Sequence, residues 1–167
     1  DHDQPDVQGW TVTRAGSIDE PADATGLAHY LEHMLFKGTD RICALDWAKE
    51  KPLYEQIIAL YDTLALTTDA QAREAVQLRI NEVSREAAQY AATDEFSNLI
   101  QGIGGKGLNA FTAYDMTCFM NSFPSYQMER WLTLYADRLT NPVFRTFQAE
   151  LENVFEEYNM YLDNNSN

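Results

Sequence analysis

Residues 26–37, GLAHYLEHMLFK, restrict this chain more than any other segment. Thr25 is a helix-capping residue type and Gly38 a terminating one, so the spacing predicts a short helix from Gly26 to Lys37. Leu27, Ala28, Tyr30, Leu31, Met34, Leu35 and Phe36 leave no polar side to that helix, the pattern of a buried one. Two imidazoles and a carboxylate, His29, His33 and Glu32, are nevertheless set into it, and such groups are costly to bury uncompensated. No Lys or Arg precedes Lys37 within the segment, so a cation from outside is the simplest compensation. His29 and His33 stand about 40° apart around a helix and one turn apart along it, so both face one way. Two nitrogens so placed suit one Zn²⁺ at roughly 2.0–2.1 Å. Glu32 lies about 60° round from His29, close enough to reach a water held there without being a ligand. Two histidines satisfied by hydrogen bonds in a core are the bland alternative, and the apolar surroundings disfavour it.

A catalytic zinc needs a third protein ligand and keeps its fourth position for water. The remaining histidine, His2, sits in a polar leading stretch, which leaves a carboxylate or a cysteine. Cys43 and Cys118 can pair or stay free, and two cysteines fix neither pairing nor compartment. The last helix, expected from about Phe144 to Leu162, carries Glu150, Glu152, Glu156 and Glu157. Its apolar arc consists of Phe147, Leu151, Val154, Phe155, Tyr158, Tyr161 and Leu162. At about 100° per residue, Glu152 and Glu156 fall opposite that arc, whereas Glu150 and Glu157 are nearly superimposed on its edge and point inward.

Elsewhere the pattern is mixed. Trp10 and Val12 alternate with Thr11 and Thr13, predicting a strand over Gly9–Ala15. Residues 46–100 read as helical, with Pro52 suited to a first turn, Thr67-Thr68-Asp69 breaking one helix and capping the next, and Thr93-Asp94 capping a third. After a glycine cluster at 102–107 come strands over Leu108–Ala113 and Thr117–Phe123, then a helix from Ser125 to about Leu139. The cluster lacks phosphate-loop spacing and reads as a turn. The fold class is α+β, an antiparallel or mixed sheet packed with helices, in one domain of 167 residues. Twelve basic against 26 acidic residues give a net charge of −14, which excludes nucleic acid and anionic membranes as partners. No apolar run reaches the roughly 18 residues of a membrane span, so a soluble domain is expected, trimmed at its front because it opens on Asp1 rather than Met.

The residues quoted resemble the insulinase/pitrilysin family of zinc metallopeptidases, the inverzincins, whose H-x-x-E-H order reverses the commoner H-E-x-x-H. Gly16-Ser17 and the run Thr25 to Thr39 are similar to the family signature, and Asn109-Ala110-Phe111-Thr112 resembles its Asn-Ala-x-Thr strand beside the active site. The resemblance implies that Glu157 is the third zinc ligand and Glu150 a supporting carboxylate. It implies that Glu32 is the general base and that Asn109, Ala110, Phe111 and Thr112 bind an extended peptide. It also implies one Zn²⁺ per chain, the first half of a catalytic domain interrupted by a helical insert at 46–100, and a bacterial, often exported, protein. A second homologous half, in cis or as a subunit, would complete the site, and the substrate would be a peptide or unfolded polypeptide. The rivals are a half that binds zinc and peptide without turnover and an acidic interaction domain with incidental histidines.

Overall fold

The structure, a computed structural model, describes residues 5–165. His2 lies outside them, and nothing is described of the Tyr161 and Leu162 side chains. Three strands form the sheet: β1 (Asp6–Thr13), β2 (Lys106–Thr112) and β3 (Thr117–Pro124), in the order β1-β3-β2 and antiparallel throughout. Six α-helices accompany it among the described residues: α1 (Leu27–Met34), α2 (Trp47–Leu66), α3 (Ala70–Ala87), α4 (Glu95–Gly102), α5 (Met128–Thr140) and α6 (Phe147–Asn165). The α+β expectation stands, with an antiparallel rather than mixed sheet.

The core lies on one face of the sheet. Phe119 and Phe123 of β3, four residues apart and so on one face of the strand, meet Phe96 and Ile100 of α4 and Trp131 and Tyr135 of α5. Asn121, buried between them on the same face, accepts hydrogen bonds at 2.8 Å from Trp131 Nε1 and from the Tyr135 hydroxyl, so the one amide oxygen in this layer is satisfied. Phe123 and Trp131 stack with centroids 5.0 Å apart, and Gly9 of β1 lies directly against them: a Cβ there would meet Trp131 at 2.5 Å. Alternation in β1 is as expected, but Trp10 and Val12 face outward, Trp10 being 55% exposed, while Val7 packs on the core. Periodicity identifies two faces, and the close approach of Trp131 at Gly9 decides which one turns inward.

Several boundaries shift for local reasons. Thr25 does not cap α1. Gly26 takes that position with φ 90°, and Glu20, from the preceding loop, accepts from the Gly26 and Ala28 amides at 2.8 Å, supplying from outside the carboxylate that a helix N-terminus favours. Pro52 is not in a first turn; α2 begins at Trp47 with Asp46 as its cap, and Pro52 lies inside the helix. Asp69 caps α3 as expected, accepting from Ala72 N at 2.8 Å. Asp94 starts α4 through a left-handed φ of 60°, without a side-chain cap. The last helix starts at Phe147 rather than Phe144, because Thr146 adopts φ 55° and interrupts the chain. Only part of its proposed apolar arc is covered: Val154 is buried and Phe147 half-buried, but Leu151, Phe155 and Tyr158 are exposed, Phe155 by 64%.

Helices α2 and α3 form an antiparallel hairpin beside this body. Both cysteines are buried and free, and burial raises both thiols above their ordinary pKa. Among the described residues, no helix is long and apolar enough to cross a membrane.

Candidate metal centre

α1 and α6 are pinned together by Tyr30 and Met34 on one side and Val154, Phe144 and Phe147 on the other. The Tyr30 hydroxyl donates to the Phe147 carbonyl at 2.5 Å. This contact places the polar stripe of α1 against the glutamates of α6. His29 Nε2 and His33 Nε2 are 3.1 Å apart, and Glu157 Oε2 lies 3.6 Å from the first and 3.5 Å from the second. A tetrahedral ion with bonds of roughly 2.0–2.1 Å separates its ligands by about 3.3–3.4 Å. The three observed separations bracket that value, so these donors fit one small divalent cation. Among the described residues they are also the one His/Cys/Asp/Glu group of this kind.

The tautomers agree with that fit. His33 Nδ1 stands 3.0 Å from Glu150 Oε1, so the ring donates its Nδ1 proton to the carboxylate and turns the Nε2 lone pair toward the cluster. Glu150 is buried, and its other oxygen accepts from Lys37 Nζ at 2.5 Å. Burial alone would raise the Glu150 carboxyl, but the hydrogen bonds from Lys37 and His33, with their charges, outweigh it and hold the pKa below the usual range. The two inward glutamates thus differ. Glu150 is enclosed and braces His33, whereas Glu157, its side chain 46% exposed, stands open beside both imidazoles.

Glu32, only 6% exposed, projects from the same helix toward the sheet, where the Thr112 hydroxyl donates to its Oε2 at 2.6 Å. One carboxylate oxygen is thereby fixed and the other left for the shallow cleft that Glu32 lines with His29, His33, Glu157, Asn109 and Ala110. Of the four β2 residues singled out in the sequence, Asn109 and Ala110 reach the cleft, Thr112 is committed to Glu32, and Phe111 pairs across the sheet with Cys118. β2 is an edge strand: β3 occupies one side, and among the described residues no strand pairs with the other. A second, mostly apolar cavity between α2, α3 and the start of α6 holds none of these groups.

Sequence reasoning missed two contributors, and gave a third, Thr112, a different role. Lys37 was counted only as the end of a helix, although its ammonium braces Glu150. Thr112 carries no signal of its hydrogen bond to a residue 80 positions away. Arg138 is the other one missed. Fully buried, its guanidinium lies 4.0–4.7 Å from the rings of Phe119, Phe36 and Phe96. Nε donates to the Leu35 carbonyl at 2.8 Å while both terminal nitrogens lack partners, and burial pushes its pKa down to about 10 against the pull of Tyr135 and Glu32.

A sequence profile described as Insulinase (Peptidase family M16) matches residues 1–50 and 81–167, passing over part of the α2–α3 hairpin. The probable zinc protease PqqL of Escherichia coli (strain K12) is 20% identical, over 97% of this chain and 13% of its own length. A crystal structure of a protease from Helicobacter pylori superposes with a TM-score of 0.62 at 20% identity, covering 96% of this chain and 27% of that one. The chain therefore spans a small part of either relative.

Proposed function

Because the chain belongs to the insulinase family of peptidases, peptidase family M16, we propose that it is the metal-holding part of a zinc-dependent endopeptidase acting on extended polypeptides. The observation that carries this reading is the triangle of His29, His33 and Glu157 donors, 3.1–3.6 Å on a side, at the base of a cleft that Glu32 also lines. His29, His33 and Glu157 would hold the ion. When bound, Zn²⁺ would supply Lewis acidity, polarising the scissile carbonyl and lowering a water's pKa toward ~7.

The other steps belong to the protein. Glu32 takes the proton of the attacking water on the oxygen that Thr112 leaves free, and afterwards passes it to the departing amine. Glu150 keeps His33 in the tautomer that presents Nε2. A peptide adds as a strand along the open edge of β2, with Asn109 and Ala110 alongside it, so recognition rests on backbone hydrogen bonds more than on side chains. Glu32→Gln should keep zinc and abolish hydrolysis in any length of the protein that cleaves. Unchanged activity would remove Glu32 from the base role.

The share of the relatives that is covered supports a second reading, a half that binds zinc and peptide but needs a homologous half, in cis or as a subunit, for turnover. Zinc binding with hydrolysis only after adding that half would select it. By resemblance alone, the protein is assigned to an exported bacterial compartment.

A further inference from the structure

Glu50 lies in the first turns of α2, outside both the sheet and the two helices that carry the metal donors, and it is 2% exposed. Its carboxylate receives a two-pronged contact from Arg145, itself only 7% exposed: Nε donates to Oε1 at 2.5 Å and Nη2 to Oε2 at 2.9 Å. The other donations go to backbone. Nη2 reaches the Thr39 carbonyl at 2.8 Å, and Nη1 reaches the Lys37 and Ile42 carbonyls at 3.1 and 3.4 Å. All five N–H groups of the guanidinium are therefore used.

The chain positions so joined are the ones that set the metal centre. Lys37, Thr39 and Ile42 form the loop that leaves α1 just after His33, and Arg145 lies in the segment that launches α6 with Glu150 and Glu157. The same loop is tied again to that segment by Val143 N donating to the Gly38 carbonyl at 3.1 Å. Lys37, whose carbonyl Arg145 holds, extends its ammonium to Glu150, and Glu150 braces His33. Withdrawing two opposite charges from water costs as much as their attraction returns, so a buried pair is poor support for stability alone. A metal site, by contrast, requires its donors within about 0.2 Å of ideal distances.

We infer that Glu50 is a positioning residue for the metal centre, acting through Arg145 to fix the separation of α1 and α6. The inference rests on His29, His33 and Glu157 being the ligands. It gives the front of the α2–α3 hairpin a role in the site rather than beside it.

The test titrates Zn²⁺ and Co²⁺ into the 167-residue chain against a competing chelator, reading affinity and the visible Co²⁺ absorption bands. Glu50→Gln keeps the shape of the side chain and removes its charge. Affinity should fall roughly 10- to 100-fold, the usual effect of removing a partner behind a ligand, and the Co²⁺ bands should change. Ile80→Ala, a core truncation in α3 that removes none of these hydrogen bonds, should destabilise the fold yet leave affinity and bands as in the wild type, provided both are measured where circular dichroism shows folded protein. Wild-type affinity in folded Glu50→Gln overturns the inference. Should Glu50→Gln not fold, Glu50→Asp, which keeps the charge one methylene shorter, takes its place: an intermediate loss supports the role, and wild-type affinity refutes it. No binding by the wild type itself would instead refute the ligand assignment on which the inference depends.

Discussion

Gly38→Ala isolates how tightly the loop behind the metal helix is built. Gly38 has φ 92°, a conformation that costs an L-residue about 1–2 kcal/mol. Space is short as well: a Cβ would come within 2.3 Å of the Ile42 carbonyl oxygen and 2.6 Å of Cys43 Cβ. Neither neighbour can easily give way, since the Ile42 carbonyl accepts from Thr39 N at 2.8 Å and Cys43 is buried. Overpacking of this kind adds roughly 1–3 kcal/mol, so the total is about 2–5 kcal/mol. Gly26→Ala is the control. Its φ is 90°, but nothing lies within 4 Å, so only the conformational cost applies. Urea denaturation of both variants, with unchanged m-values, should place Gly38→Ala below Gly26→Ala by about 1–3 kcal/mol. Thermal midpoints should differ by roughly 2–12 °C in the same sense. Equal midpoints for the two variants would refute the packing of the 37–43 loop.

Four further outcomes follow from the same contacts. Glu157→Gln should weaken zinc binding far more than Glu156→Gln in a chelator competition; the reverse ranking would move the third ligand elsewhere. Thr112→Val should lower kcat in a cleaving form of the protein by about 10-fold or more with little change in KM, Thr112→Ser restoring it, because the hydroxyl that orients Glu32 is lost without removing the cleft. Burial would raise the Asp137 carboxyl, but hydrogen bonds from Arg41, Thr39 and Asn141 hold it below the ordinary value. With its folded pKa depressed, the stability it contributes is present above pH ~4 and lost as pH falls through the lower folded value. Asp137→Asn should accordingly flatten the stability–pH curve below pH ~4, and an unaltered slope would contradict the assignment. Cys43 and Cys118, buried with raised pKa values, should react with a thiol reagent only as fast as the protein opens; immediate labelling of folded protein would show them accessible.

What could be read from the sequence was local. The i, i+4 spacing of His29 and His33 is a property of one helix turn, and the seven-residue spacing of Glu150 and Glu157 is a property of another, so both appear without knowledge of the fold. Asp69 capped its helix for the same reason. What could not be read depends on partners far along the chain. Glu50 and Arg145 are 95 positions apart, and Thr112 and Glu32 are 80 apart, and no periodicity links such pairs. Alternation in β1 showed two faces but not which one Trp131 would cover. The apolar stripe of α6 was real in composition, yet among its described residues only Val154 is buried, beside Tyr30 and Met34, with Phe147 half-buried against the same cluster. Hydrophobic pattern states what a helix can bury; only the packed neighbours determine how much of it is.

The metal content of the purified, dialysed chain, measured by mass spectrometry of its elements beside His29→Ala and Glu157→Gln variants, bears most directly on the site. About one zinc per wild-type chain, reduced sharply in both variants, is the expected result. Wild-type protein that retains no zinc when zinc is supplied, or variants that retain as much as the wild type, would contradict it.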